Sequence, residues 1–327
     1  MKKVIDFFKS TAGMVLIVTL LAGCVVHLVT GNFWTAYNIS TLTRSAAFVI
    51  IVSFGQTLVL LTGGIDLSVA AVGSVASMVA AKMMVEQGIN PWISILVSCL
   101  VGLVLGMING LFIAYLKLTP FIVTLATAEI YKGIVYIITE GTPIVGIPEN
   151  AQFLANGVLG GIMPTIVIIM LVICVVLALM LKYTKFGRHV YALGGNRNCA
   201  KIVGIKTERV EILVYSLAGL LSAIAGTMMA CKLASFQASI GVNWVNPTIA
   251  ASVLGGTSMT GGIGGVVGTV IGGLLNSTVS TSIVLLRVSS YWETIVTGGV
   301  VLVAVTVDAL KENPTMRDKV AHLIKKK

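Results

Sequence analysis

Charge is scarce in this 327-residue chain: Asp, Glu, Lys and Arg together make up 10% of it, against 57% hydrophobic residues and a mean hydropathy of +1.01. No soluble globular domain of ordinary composition has that balance, which excludes a water-soluble enzyme or binding module. Metal-ligand spacing is absent too. His27, His189 and His322 stand far apart, without an H-x₃-H or C-x₂-C companion, so no metal site is expected. The five cysteines suggest no disulfide framework. Cys24, Cys99, Cys174 and Cys231 lie in or beside apolar runs, where they read as small buried hydrophobes, and Cys199 sits in a basic segment. No phosphate-binding loop of the form GxxxxGK followed by Ser or Thr occurs, because the nearest candidate, Lys206-Thr207, follows Ile205 where glycine is required. No nucleophile has a base near it in a hydrolase or kinase pattern, so neither a catalytic residue nor a cofactor is expected.

Long apolar runs are what the chain does have. A helix needs about 20 mostly apolar residues to cross the hydrocarbon core, and such runs fall at 13–30, 45–62, 64–81, 92–116, 120–138, 162–182, 211–231, 245–258, 262–286 and 291–308. The expectation is an all-α, polytopic integral membrane protein of about ten transmembrane helices, with the third, eighth and ninth interrupted by glycine. The first 24 residues resemble a lipoprotein signal ending in Leu-Ala-Gly-Cys at Cys24. The apolar run continues through "VVHLVT", however, so an uncleaved first helix is the better reading.

Positive charge sets the orientation, since Lys and Arg stay in cytoplasmic segments. With the N-terminus inside, 17 of the 22 Lys and Arg fall on the inner side. Arg44, Lys82, Lys232 and Arg287 remain outside and Lys132 lies within a span. An even number of crossings with both termini on the inner side is therefore expected. The net charge of +10 then reflects topology and an anionic lipid leaflet rather than nucleic-acid binding. The whole chain, 1–327, reads as one transmembrane domain whose one long polar internal segment, 182–211, lies on the inner side.

Glycine is abundant, at 35 residues. Gly102, Gly106 and Gly110 repeat every four residues, as do Gly264, Gly268 and Gly272, and each set predicts a smooth stripe for close helix packing. "TGGI" occurs at Thr62 to Ile65 and again at Thr260 to Ile263, a weak sign of internal repetition. Ionisable groups within the spans are few, and each costs roughly 2.5–3.5 kcal/mol at a helix centre. Glu129 and Lys132, spaced i, i+3, share a face and can neutralise each other; a place on a transport path is the other reading. Gly63 and Gly64 can break the chain. Asp66, directly after them, can then accept from the exposed N–H groups of a helix starting near Leu67, or touch a substrate. Either way it faces the protein interior, because irregular backbone at membrane depth needs protein or water around it.

"TGGIDLSV", from Thr62 to Val69, resembles the signature of the ribose-type permeases, the membrane subunits of bacterial ABC importers for pentoses and related carbohydrates. So do "GRHVYALGGNRNCAKIVGIKTERVEILVYSLAGLLSAIAG" from Gly187 to Gly226, "NFWTAYNISTL" from Asn32 to Leu42 and "IAASVLGGTSMTGGIGGVVGTVIGG" from Ile249 to Gly273. The resemblance covers nearly the whole chain in order. It implies a permease subunit that imports a sugar or polyol with a second permease subunit, identical or not, a cytoplasmic ATP-binding subunit and an extracytoplasmic solute-binding protein. It also implies a coupling helix in the basic segment, with Asn198-Cys199-Ala200 and Gly204 in the place of the "EAA…G" pattern and Gly194, Gly195 and Asn196 capping it. Gly63, Gly64, Asp66, Ser68, Asn109, Asn246 and Asn276 are the candidates for the substrate path. The chain departs from the family at Ala70, where glycine is usual, and at Asn198, where glutamate is. Across "NWVNPTIAA", Val245 and Pro247 stand where acids are usual. That last change leaves the sugar's identity open. The competing readings are a carrier driven by an ion gradient, which also uses broken helices, and a membrane scaffold.

Overall fold

In lipid an apolar run can satisfy its own N–H and C=O groups only as a helix, and helices dominate the computed structural model, which describes residues 11–161, 163–289 and 291–312. In chain order they are α1 (Thr11–Thr30), α2 (Ala36–Leu61), α3 (Val69–Val85), α4 (Pro91–Leu116), α5 (Pro120–Thr139), α6 (Glu149–Asn156), α7 (Thr165–Tyr183), α8 (Lys185–Gly195), α9 (Arg197–Ile202), α10 (Thr207–Leu233), α11 (Val245–Leu254), α12 (Val266–Leu285) and α13 (Tyr291–Glu312). Two short antiparallel ladders tie loops together: β1 (Ile144–Val145) with β4 (Ser235–Phe236), and β2 (Val158–Leu159) with β3 (Met163–Pro164).

Among the described residues, seven helices are long and apolar enough to cross a membrane: α1, α2, α4, α5, α7, α10 and α12. α3 and α11 are shorter apolar helices of 17 and 10 residues, and α13 occupies the last expected span. The architecture is the expected all-α, polytopic one, but its glycine-rich boundaries differ. The third segment begins at Val69 rather than 64, the eighth stops at Leu254 rather than 258, and the ninth begins at Val266 rather than 262. Gly63 (φ 78°) ends α2, with its N–H bonded to Leu60 O at 2.8 Å and that of Gly64 to Val59 O at 3.1 Å. Gly256 (φ 92°) ends α11 in the same way: its N–H bonds Val253 O at 2.9 Å and that of Thr257 bonds Ser252 O at 3.0 Å. This paired termination needs a left-handed residue, which glycine supplies without a Cβ clash. The segment 182–211 is largely helical. Its ends belong to α7 and α10, and α8 and α9 fill its middle. Residues 1–10 and 313–327, which carry much of the charge behind the expected sidedness of the termini, lie outside the described residues.

α2 is the central helix, with every residue from Ile50 to Leu61 buried. α4 packs along α10 through the first glycine stripe. A Cβ at Gly102 would strike Gly219 O and Ala223, one at Gly106 would strike Tyr215 O, and one at Gly110 would stand 2.7 Å from the Ile212 Cα. These are backbone contacts, so no rotamer change relieves them. Gly106→Leu is therefore expected to separate the two helices at a cost near the upper end of the ~1–3 kcal/mol of overpacking. Gly133→Ala, with nothing within 4 Å, should cost no stability and add at most the ~0.5–1 kcal/mol of helix propensity; thermal unfolding in detergent, followed by size exclusion, compares them. The second stripe is shorter than expected. Gly268 and Gly272 pack on Gly255 and Ala251, but Gly264 (φ 134°) lies before α12 against Thr257. Large apolar side chains such as Leu28 and Ile137 point outward, toward the lipid.

Candidate functional site

The break between α2 and α3 holds a buried polar cluster. Asp66 Oδ1 accepts from the Ser68 N–H at 2.7 Å and from the Ser68 hydroxyl at 2.6 Å. Asn109 Nδ2, from α4, donates to Ser68 Oγ at 2.8 Å. Thr124 Oγ1, from α5, accepts from the Leu67 N–H at 3.1 Å. Gln56, its amide oriented as its neighbours require, donates to Asp66 O at 3.0 Å and accepts from Asp66 N at 3.3 Å. Asp66 thus bonds the N–H two residues on, just ahead of α3, which begins at Val69, while Ser68 stands at the N-cap position without a capping bond of its own. Asp66 is 2% exposed, and Ser68 and Asn109 are fully buried. Asn109 stands seven residues before the end of α4, about 10 Å along the axis at 1.5 Å per residue.

Two polar atoms at this cluster have no hydrogen-bond partner among the described residues: Asn109 Oδ1 and the Tyr215 hydroxyl. Tyr215, from α10, reaches the break itself, since a Cβ at Gly64 would stand 2.5 Å from its hydroxyl. Gly63 lies on the other side, against Thr260 O. The two "TGGI" copies therefore meet: Gly262 N–H donates to Leu61 O at 3.0 Å. They are not equivalent, because Gly63 ends a helix whereas Gly261 (φ 96°) and Gly262 (φ 74°) form a loop.

Asn246 and Asn276 stand apart from this cluster. Asn246 is exposed at the start of α11 and lines a cavity of about 370 Å³ with Asn243, Pro247, Glu293, Thr294 and Thr297. Asn276 Nδ2 donates to Pro247 O at 3.1 Å, tying α12 to α11 behind that cavity. Val242 and Val245 line it too, and also a second cavity, of about 160 Å³, between α3, α5 and the 238–245 segment. Asp66, Ser68 and Asn109 line neither of the two.

On the basic side, α8 and α9 form a compact unit. Asn196 Oδ1 accepts from the Cys199 N–H at 2.9 Å and caps α9. Gly194 and Gly195 are the last residues of α8, so they do not share in that cap. A side chain at Gly194 would fall on Leu61 O and Gly262 N, whereas Gly195 has open space. Gly204 (φ 83°) ends α9, with its N–H on Lys201 O and that of Ile205 on Ala200 O, both at 3.0 Å. Ala200 is buried, Asn198 and Cys199 are exposed, and Ile202 and Val203 at the tip are 84% and 73% exposed. Two ion pairs clamp α9 to α10. Arg197 makes a bidentate bridge to Glu211 at 2.8 and 2.7 Å, and Lys201 Nζ lies 3.1 Å from Glu208 Oε1.

The sequence reading missed Tyr215, Ser74, Glu293, Thr294, Thr297 and the Arg197–Glu211 bridge. Glu211 did offer a signal, as an acid at the start of an apolar run that needs a counter-charge if buried. Ser74 offered none.

The family described as branched-chain amino acid transport system / permease component matches residues 38–305 of this chain. Ribose import permease protein RbsC of Bacillus subtilis (strain 168) is 45% identical over 289 residues, which is 88% of this chain and 89% of that protein. The protein of that name from Escherichia coli (strain K12) is 36% identical over 301 residues, 91% of this chain and 93% of its own. D-allose transport system permease protein AlsC of Escherichia coli (strain K12) is 32% identical over 313 residues, 94% and 95% of the two chains. No solved structure matches the chain significantly. The family match spans the break, the α8–α9 unit and both cavities, and with it the chain belongs to the branched-chain amino acid transport system permease family, as a multi-pass permease component of an inner-membrane import system.

Proposed function

We propose that this chain is the permease subunit of an ABC importer that moves a sugar or related polyol into the bacterial cytoplasm, energised by a separate ATP-binding subunit. The α9 tip carries the reading: Ile202 and Val203 are held out, strongly exposed, on a helix tied to α10 chiefly by the Arg197–Glu211 bridge. An apolar pair on a rigid basic mount suits a cleft on a cytoplasmic partner. The relatives named for ribose and D-allose support a sugar as cargo. An extracytoplasmic solute-binding protein, a second permease subunit and membrane lipid complete the expected partners, and this reading has both termini inside.

Movement of α9 has two routes to the membrane interior. Through Arg197 it pulls Glu211, and Tyr215 lies one turn further along the same face of α10, beside Gly64. Through α8 it moves Gly194 against Leu61 and Gly262. Both routes end at the Gly63–Ser68 break. There the Asp66–Ser68–Asn109 network acts as the hinge of the path, while Asn246 serves its outer mouth and Asn276 supports it. Among the described residues the hydrogen-bond partners of Asp66 are Ser68 and Gln56, neither of them an acid, which disfavours a proton or ion relay and with it a gradient-driven carrier.

The test is co-purification and transport. With its partners from the native host, the chain should bring down an ATP-binding subunit and support ATP-dependent uptake of D-ribose or D-allose. Changing Ile202 and Val203 together to Asp should weaken that association by about tenfold or more, the weight of apolar anchors at an interface centre. Unchanged association with intact uptake would overturn the docking assignment. Uptake that persists in vesicles without ATP would make the chain a gradient-driven carrier.

A further inference from the structure

We infer that the cavity between α3, α5 and the 238–245 segment is a hydroxyl-binding station for a neutral polyol, with Ser74 in its wall and the Glu129–Lys132 pair at its rim. This rests on the importer reading above.

Glu129 and Lys132 sit at the middle of α5, a helix long and apolar enough to span the membrane. Their side chains are 72% and 52% exposed, and the ion pair between them is long, at 3.9 Å. Charges held that loosely at a helix centre are costly against lipid, so this flank of α5 calls for water, a polar solute or a second subunit beside it. Both residues line the cavity. Its volume of about 160 Å³ is far more than the roughly 10–15 Å³ that one water needs, so it has room for a small solute. Leu67, Ala70, Val135 and Ile240 give it apolar walls.

Ser74 supplies an independent observation. It lines the same cavity, is 5% exposed, and its hydroxyl has no hydrogen-bond partner among the described residues. A buried hydroxyl left unpaired is unfavourable, and a ligand hydroxyl relieves it. The chemistry of the lining fits one class of solute. A carboxylate accepts from hydroxyls, an ammonium donates to them, a serine does both, and the apolar walls take C–H faces. The charges at the rim cancel, which favours a neutral molecule over an anion or a cation. Leu67, between Asp66 and Ser68, brings the hinge into contact with the station. Through Val242 and Val245 the station adjoins the larger cavity that holds Asn246, so the two form successive sites along one path.

The experiment uses the complete importer in right-side-out vesicles, with its native cysteines replaced and Glu129→Cys or Lys132→Cys introduced singly. A membrane-impermeant methanethiosulfonate is expected to label both positions, and saturating D-ribose or D-allose should slow that labelling severalfold. Ser74→Ala, in the otherwise native importer, should raise the sugar concentration for half-maximal uptake about three- to tenfold, the weight of one hydrogen bond. Labelling only by a lipid-soluble maleimide would put this face against lipid and overturn the station. Spontaneous disulfide formation between two copies would make it a subunit interface and do the same. Labelling without sugar protection, together with unaltered uptake by Ser74→Ala, would leave a wet face and no station. If the unsubstituted importer takes up neither sugar with ATP, the importer reading for these sugars fails first and the station falls with it.

Discussion

Arg197→Gln is expected to abolish coupling while the permease still inserts. Glu211 is 5% exposed, and Arg197 is the bidentate partner that neutralises it. Removing one partner of a buried pair leaves an uncompensated charge, typically at a cost of about 3–5 kcal/mol. Here the lower end applies, because the Arg197 side chain is 41% exposed and water reaches that side. α9 would lose its main tie to α10, and ATP hydrolysis should continue with transport reduced more than about tenfold, a factor that needs only 1.4 kcal/mol. The double change Arg197→Gln with Glu211→Gln removes the stranded charge, so thermal stability should recover while coupling does not. Lys201→Gln serves as the control. The Lys201–Glu208 pair is solvent-accessible at both ends, and such pairs contribute about 0–1 kcal/mol. The readout is sugar moved per ATP hydrolysed in proteoliposomes, and a wild-type ratio for Arg197→Gln would refute the clamp.

What the sequence made legible follows from which forces are local. Spans such as Pro91–Leu116 are visible because apolar length alone makes a helix in lipid, and the Gly102–Gly106–Gly110 stripe because a period of four stays on one face. The start of α3 and the end of α11 differ from the expected bounds because a left-handed glycine breaks a helix without any drop in hydropathy, so the runs that begin at 64 and end at 258 still look continuous beside Gly63 and across Gly256. In the segment 182–211 the helix α8 goes unread because its charges mask Gly187, Val190 and Leu193, which it buries. Asp66 and Ser68 are two residues apart and their bond is a local one. Asn109 joins them only through the packing of α4, which no window of sequence shows. Ser74 is one hydroxyl in an apolar helix, and only the cavity beside it gives it meaning.

Gly194, Gly195 and Gly204 of the α8–α9 unit look alike in sequence and should respond very differently to valine. At Gly194 the new side chain meets Leu61 O and Gly262 N, the two atoms of a 3.0 Å backbone hydrogen bond. Relief requires the end of α2 to part from the second "TGGI" loop, combining overpacking of about 1–3 kcal/mol with a lost hydrogen bond of about 0.5–1.5 kcal/mol. At Gly204 the obstacle is the φ of 83°, worth about 1–2 kcal/mol and confined to the exit of α9. At Gly195 nothing lies within 4 Å, so little beyond a small helix-propensity change is expected. Gly194→Val should therefore give the largest loss of transport and of thermal stability, Gly204→Val an intermediate loss through a displaced α9, and Gly195→Val almost none. Uptake and melting measured on the three variants side by side check the order. Should Gly195→Val prove as damaging as Gly194→Val, the α8 face toward Gly262 would owe its glycines to something that docks there. The contact between the two "TGGI" copies would then no longer explain why glycine stands at 194.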